Sequence, residues 1–282
     1  MQDDTGFKEL DWLIAHRDDP RLRIIDARSV PHGGTVAMPS GREQYAAGHL
    51  PGAVHLDYGD DLSDPATPYA TRVAPPQTFA AVLGGHGIGD DAIVLAYDAG
   101  TIPFAARLVW MLRYYGHAEA YVLAGGIAAW TAAGKPLETA APPIVRATFL
   151  PRENPAVRAT RAEVQAIVAG TLDEQLIETQ RDQTYAQRDR DIPGAVRLSG
   201  NVLLDDARGG RIAERATLDR LVASARLDPH KRTVVTCGSG VSASGAWLAL
   251  RAAGFDDVAV YDGSWMEWSH DGLPTVAKST GS

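Results

Sequence analysis

At 282 residues, with 45% hydrophobic and 22% charged residues, the chain has the composition of an ordinary globular protein and length for two cores of roughly 140 residues each. A formal net charge of −8 argues against nucleic acid or an anionic membrane as partner, and no apolar run approaches the roughly 18 residues that a membrane span needs. The single cysteine excludes an intramolecular disulfide and a cysteine-cluster metal site, and it fits a reducing compartment.

Met1 to Arg17 carries Asp3, Asp4, Glu9 and Asp11 and has no apolar core like that of a signal peptide, so a cytoplasmic protein is expected. Within it, Asp11-Trp12-Leu13-Ile14-Ala15-His16 has helical spacing, and Leu22 to Arg28 reads as a short buried strand ending in a turn. Ser29 to Gly41, rich in Gly, Pro and Ser, reads as loop. Gly48-His49-Leu50-Pro51-Gly52-Ala53-Val54 is a turn that feeds a strand. A helix is expected over Gln77 to Gly84, a buried strand over Ala92 to Tyr97, and a helix from Ala105 to Tyr115 stopped by Gly116. A strand over Ala120 to Leu123 and a helix beginning at Gly125-Gly126 close the first half. Leu137 to Ala159, with Pro142, Pro143, Pro151 and Pro155 and little periodicity, reads as a linker. The division expected is a first domain over 1–138, a linker over 139–158 and a second domain over 159–282.

The second half repeats the first. Pro193-Gly194-Ala195-Val196 matches Pro51-Gly52-Ala53-Val54, Gly254 matches Gly116, Trp268 matches Trp130, and Gly272-Leu273-Pro274 matches Gly134-Lys135-Pro136. A period of roughly 140 residues is a duplicated domain and not a solenoid. Short apolar strands alternating with helices imply an α/β fold, a mostly parallel sheet with helices on both faces in each half.

The stretch of most chemical interest is Thr233-Val234-Val235-Thr236-Cys237-Gly238-Ser239-Gly240-Val241-Ser242-Ala243. Four β-favouring residues run into the only cysteine, two glycines follow, and an alanine-rich amphipathic run from Ala243 to Ala253 is closed by Gly254. Such a loop lets successive N–H groups converge on the sulfur, and the helix beginning near Ser242 adds the positive end of its dipole. Both favour a thiolate, the reactive species, so Cys237 is the candidate nucleophile. The competing reading, a cysteine buried as a small hydrophobe, does not account for the flanking glycines at a strand-to-helix junction. A cysteine phosphatase is disfavoured, because the loop contains no Arg or Lys to clamp a phosphate. The repeat places Asp98 at the position of Cys237. A carboxylate cannot carry sulfur, so one active site per chain is expected, with the first half supplying one wall of a cleft.

Cys237-Gly238-Ser239-Gly240-Val241-Ser242-Ala243, followed one strand later by Tyr261-Asp262-Gly263-Ser264-Trp265-Met266-Glu267-Trp268, resembles the C-terminal half of a two-domain sulfurtransferase of the rhodanese superfamily, closest to its 3-mercaptopyruvate sulfurtransferase branch. The resemblance extends over nearly the whole chain and implies two tandem rhodanese-like domains, the second catalytic. It also implies a reaction. Cys237 takes a sulfane sulfur from a small donor, 3-mercaptopyruvate favoured, holds it as a persulfide, and yields it to cyanide or to a thiol (a small thiol or a thioredoxin-like protein). No cofactor and no metal are needed, because the cysteine carries the group. Gly238, Ser239, Gly240, Val241, Ser242 and Ala243 would stabilise the persulfide through their N–H groups. Thiosulfate-using relatives place basic side chains directly after the cysteine, where Gly238 and Ser239 stand here as in the mercaptopyruvate enzymes. Ser239 is then the expected donor to the ketone or enolate. The histidine of the family's G-H-I-P-G-A motif, which activates that serine, matches His49. The family's acidic partner upstream has no counterpart in Met38-Pro39-Ser40-Gly41, and Glu43 is the nearest carboxylate.

The second half departs from the family between Leu176 and Gly194, where the family has a D-x-R strand end, an Arg-Phe pair, E-P-R and G-H-I-P-G, with arginines that bind the substrate carboxylate. Here the loop is shorter, Gln180 and Thr184 occupy two arginine positions, and Asp191 replaces the histidine. Arg181, Arg188 or Arg190 either restores the lost charge from a shifted register or belongs to a solvated charged surface. Two alternatives to the mercaptopyruvate reading stand beside it: thiosulfate:cyanide transfer, and a protein-to-protein sulfur relay with little small-molecule turnover.

Overall fold

The computed structural model of the chain describes residues 6–30, 39–69, 71–100, 103–205 and 208–278. Most of the expected loop before Gly41 (31–38), together with Thr101 and Ile102, lies outside the described residues. The chain divides into two compact units, Met1–Asn154 with Asp206–Arg211 and Pro155–Asp205 with Ile212–Ser282.

In the first unit, short apolar runs bounded by turns form β1 (Phe7–Lys8), β2 (Leu22–Asp26), β3 (Val54–His55), β4 (Ile93–Tyr97) and β5 (Ala120–Leu123). All pair in parallel, in the order β1-β5-β4-β2-β3. Between them lie α1 (Leu10–His16), α2 (Gly41–Ala47), α3 (Pro76–Gly85) and α4 (Phe104–Tyr114), and α5 (Gly126–Ala132) follows β5. The central β4 is buried at all five positions, as a strand covered on both faces must be. Its pleat sends Leu95 and Tyr97 into a core with Leu13 of α1, Leu50, Leu123 and Trp130 of α5. The almost wholly buried α4 packs on β4 and β5.

The helix α2 was not expected. Ser40 Oγ accepts the Glu43 N–H at 3.2 Å, and the Glu43 carboxylate accepts the Ser40 N–H at 2.7 Å, a reciprocal cap that satisfies two otherwise orphaned donors. The carboxylate nearest to the missing acidic partner is therefore engaged in closing a helix end.

The second unit repeats this plan with β6 (Arg158–Ala159), β7 (Gln175–Glu178), β8 (Val196–Arg197), β9 (Thr233–Thr236) and β10 (Val258–Tyr261), all parallel in the order β6-β10-β9-β7-β8. Its helices are α6 (Arg161–Val168), α7 (Asp182–Tyr185), α8 (Gly200–Leu203), α9 (Arg215–Ser224), α10 (Val241–Ala252) and α11 (Ser264–His270). Leu176, Val234, Ala259 and Tyr261 pack with Val164 of α6 and Trp268 of α11. The two tryptophans are placed alike: Trp130 Nε1 donates to the Pro136 carbonyl and Trp268 Nε1 to the Pro274 carbonyl, each at 2.8 Å. Each ring closes one core, and its removal would cost about 3–5 kcal/mol.

The stretch read as a linker has a definite path. Ala147 N–H donates to Gly84 O at 3.0 Å, Arg152 N–H to Tyr115 O at 3.0 Å and Asn154 N–H to Tyr114 O at 2.7 Å, and Phe149 is buried. As far as Asn154 it is a strap on the first unit. The 3-10 turn Pro155–Val157 and β6 then open the second.

Candidate active site

Cys237 follows β9, the middle strand of its sheet, at the carboxyl edge where ligands bind in parallel α/β sheets. Gly240 holds φ +81° as the residue before α10, a conformation that glycine adopts without the cost a side chain would add. This turns the loop back so that the Gly240 N–H donates to Cys237 Sγ at 3.1 Å. The Ser239 and Ala243 amides also favour the charged form of the sulfur. Trp265 N–H donates to the Cys237 carbonyl at 2.9 Å and Met266 N–H to the Gly238 carbonyl at 3.0 Å, which pins the loop to α11. Val241 is buried, whereas Ser239 and Ser242 are half-buried.

The first unit builds the same loop around a different occupant. Asp98 Oδ1 accepts the Gly100 N–H at 2.7 Å, and Oδ2 accepts the Ala105 N–H at 2.9 Å. Ile127 N–H donates to the Asp98 carbonyl at 3.0 Å, as Trp265 N–H does to Cys237. In one unit the convergent amides hold a carboxylate, and in the other a sulfur. Both loops are made for negative charge.

The charge on that sulfur is contested. Cys237 is 2% exposed. Burial pushes its thiol up, the Glu178 carboxylate pushes it further, and the amides of Ala243, Ser239 and Gly240 pull it back without prevailing. The expectation that amides and dipole alone would leave a thiolate is corrected on this point. The amide ring is present, but a buried carboxylate works against it.

That carboxylate had no role in the sequence reading. Glu178 ends β7 in register with Thr236, one residue before the cysteine, and is fully buried. It bonds Arg188 Nη2, which also donates to Asp191 Oδ1 at 2.9 Å, and it accepts the Gln180 N–H at 2.6 Å. Burial raises the Glu178 carboxyl while Arg188 holds it down. The signal that could have found this pair is Asp26, at the matching strand end of the first unit. There Arg28, two residues on, closes on the buried carboxylate at 2.9 Å and donates to the Gly48 carbonyl at 2.7 Å. The second unit has Gln180 in place of that arginine, and Arg188 arrives from further along the chain to do its work.

Arg188 therefore meets two carboxylates, and its guanidinium lies 4.6 Å from the Trp265 ring centre and 4.8 Å from that of Tyr185. It does not belong to a solvated surface. Arg190 is exposed and donates to the Thr275 carbonyl at 2.9 Å. Arg181, half-buried, precedes α7, and its stem flanks Gly200 as Ser242 does, Arg181 Cγ and Ser242 Cβ each lying 3.7 Å from where a side chain on Gly200 would begin. His49, in the first unit, is fully buried and stacked on Tyr45, with Nδ1 2.9 Å from the Tyr45 carbonyl and Nε2 3.3 Å from that of Ala140.

Ser264 is a second residue the sequence reading quoted without a role. It holds φ +50°, costly for a residue with a side chain. Its Oγ accepts the Cys237 N–H at 3.2 Å, donates to the Tyr261 carbonyl at 2.8 Å and lies 4.0 Å from Sγ. The matching residue in the first unit is Gly126, at φ +53°. The strained turn is common to both units, and only the unit with the cysteine places a hydroxyl there.

The Rhodanese-like domain model matches the chain twice, over residues 9–133 and 160–271. The chain belongs to the rhodanese-like family. It is 31% identical to a 3-mercaptopyruvate sulfurtransferase of Escherichia coli (strain K12), over 94% of this chain and 95% of that protein. It is 30% identical to a thiosulfate sulfurtransferase of Bos taurus, over 96% of this chain and 94% of that one. The crystal structure of SseA from Escherichia coli superposes with a TM-score of 0.83 at 31% identity, over 92% of this chain and 98% of that one. The rhodanese-like fold accounts for both units, the loop with its cysteine in the second and the loop with its aspartate in the first. No helix among the described residues is long and apolar enough to cross a membrane.

Proposed function

We propose that the chain is a sulfurtransferase of the cytoplasm that moves sulfur from 3-mercaptopyruvate, through a persulfide on Cys237, to a thiol or to cyanide. The observation that carries this reading is the cysteine sulfur at the carboxyl edge of the central strand, which accepts the Gly240 N–H at 3.1 Å and whose charged form the Ser239 and Ala243 amides also favour. The Cys237 thiolate attacks the donor's sulfur and the carbon–sulfur bond breaks. Its electron pair passes into the enolate of pyruvate, which takes up a proton, and the sulfur stays as Cys–S–S⁻. The amides that converge on Sγ are placed to hold that anion, as an oxyanion hole would. An acceptor thiolate or cyanide then attacks the outer sulfur and restores the Cys237 thiolate.

The donor is the finer part of the reading. Gly238 and Ser239 bring no charge to meet a thiosulfate dianion, whereas the Ser239 hydroxyl suits a ketone or enolate oxygen. Arg188 is engaged by Glu178 and Asp191; Arg181, whose stem flanks Gly200 as Ser242 does, is the arginine proposed for the donor's carboxylate. No proton transfer is assigned to His49, because both its ring nitrogens lie on backbone carbonyls. Thiosulfate remains the second reading, supported by relatives of that name at similar identity.

Whole-protein mass spectrometry after incubation with 3-mercaptopyruvate tests the central step. A gain of one sulfur on the wild type and none on Cys237→Ser is expected. No gain on the wild type, or an equal gain on the variant, would refute the reading. The ratio of kcat/KM for the two donors decides between them.

A further inference from the structure

In both units a buried acid ends the strand beside the loop's strand, and an arginine answers it. In the first unit the two come from one short segment, Asp26 and Arg28, and Arg28 has further partners in backbone carbonyls. In the second the acid is one methylene longer and the arginine is ten positions away. Arg188 faces two acids, Glu178 and Asp191, so three charges of net −1 lie together. They lie against the catalytic loop. Glu178 is in register with Thr236, Gln180 (held on Glu178 by its N–H) comes within 3.1 Å of where a side chain on Gly238 would begin, and Arg188 covers the ring of Trp265, which is bonded to Cys237 O.

We propose that Glu178 and Arg188 are an opposed pair of positioning residues that set how readily Cys237 gives up its proton, Glu178 resisting the step and Arg188 easing it. This rests on the reading of Cys237 as the nucleophile. Among the other charged groups on elements around the loop, Arg197 of β8 donates to the Glu178 carbonyl at 3.2 Å and is paired with Asp182 at 2.7 Å. Asp262 is paired with Arg158 at 3.2 Å, and Glu267 lies near the Tyr261 hydroxyl and raises its pKa. Glu178 is thus the acid with a direct claim on the sulfur, in keeping with its upward push on the thiol. The first loop has no use for such a control, since its own occupant is already a carboxylate.

The pair makes a prediction that simple structural support does not. Glu178→Gln and Arg188→Gln break the same ion pair, so damage to the fold would move both in the same direction. A charge effect moves them apart. The measurement is the rate of Cys237 carbamidomethylation by iodoacetamide against pH on the full-length protein, followed by intact mass. Glu178→Gln is expected to shift the midpoint down by about one pH unit and Arg188→Gln up by a similar amount. Arg188→Lys, which keeps the charge, should stay near wild type, and the double Gln variant should fall between the two single ones. Shifts of the same sign, or none in Glu178→Gln, would overturn the proposal. Alkylation needs no sulfur donor, so this result is separate from the persulfide test. Opposed shifts without persulfide would keep the charge pair and remove the sulfurtransferase reading.

Discussion

Gly240 shows how much rests on one backbone angle. Its φ of +81° both starts α10 and aims an N–H at the sulfur. Gly240→Ala would force a side chain into the left-handed region at about 1–2 kcal/mol and tilt that N–H away. Sulfur loading of Cys237 should fall about a hundredfold, the lower end of what losing one anion-hole donor costs. Gly254→Ala, at φ +93° just past the far end of the same helix, is the control. It should lower the unfolding midpoint comparably and leave the loading rate near wild type. Equal loss of loading in both would show that the angle at Gly240 matters only for stability.

At the scale of the element, the two loops differ by what they enclose. Asp98 accepts N–H groups with each carboxylate oxygen, so Asp98→Asn would turn an amide NH₂ toward one donor. A loss of about 1–3 kcal/mol in the first unit's stability is expected, read as a lower denaturant midpoint. An unchanged midpoint would mean that the carboxylate contributes nothing to that loop. The loops were legible in the sequence because glycine at a strand-to-helix junction permits few conformations, and the paired tryptophans carried the repeat. The short α2 was missed although Ser40 and Glu43 form a capping signature, because seven residues beginning with Gly41 leave little helical periodicity. Strand register and ion pairing between distant residues leave no local pattern. For that reason nothing in the sequence marks Glu178 and Arg188, ten positions apart, as partners. The strap from Leu137 to Asn154 looked like a linker because its bonds are made by main chain to distant carbonyls.

For the molecule as a whole, the first unit carries a built-in sensitivity to acid. His55 and His117 are buried, and burial holds both below the ordinary histidine range. The unfolded chain then binds protons at a pH where the folded chain does not, so their contribution to stability is complete above the unfolded value and is lost as pH falls below it. The unfolding midpoint of the first unit should drop between about pH 7.5 and 5.5, and the drop should shrink in the double variant His55→Gln, His117→Gln. An unchanged slope would place the acid sensitivity in the carboxylates instead.

The aspartate at position 98 also bars the way back. A thiol put there would leave the Gly100 and Ala105 amides without the two oxygens they now bond. A serine at 126, to copy Ser264, would bring its first side-chain atom within 2.2 Å of the Asp98 carbonyl. Restoring a second reaction centre thus takes several coordinated changes, each harmful alone, and the asymmetry between the halves is locked in by sterics and hydrogen bonding together.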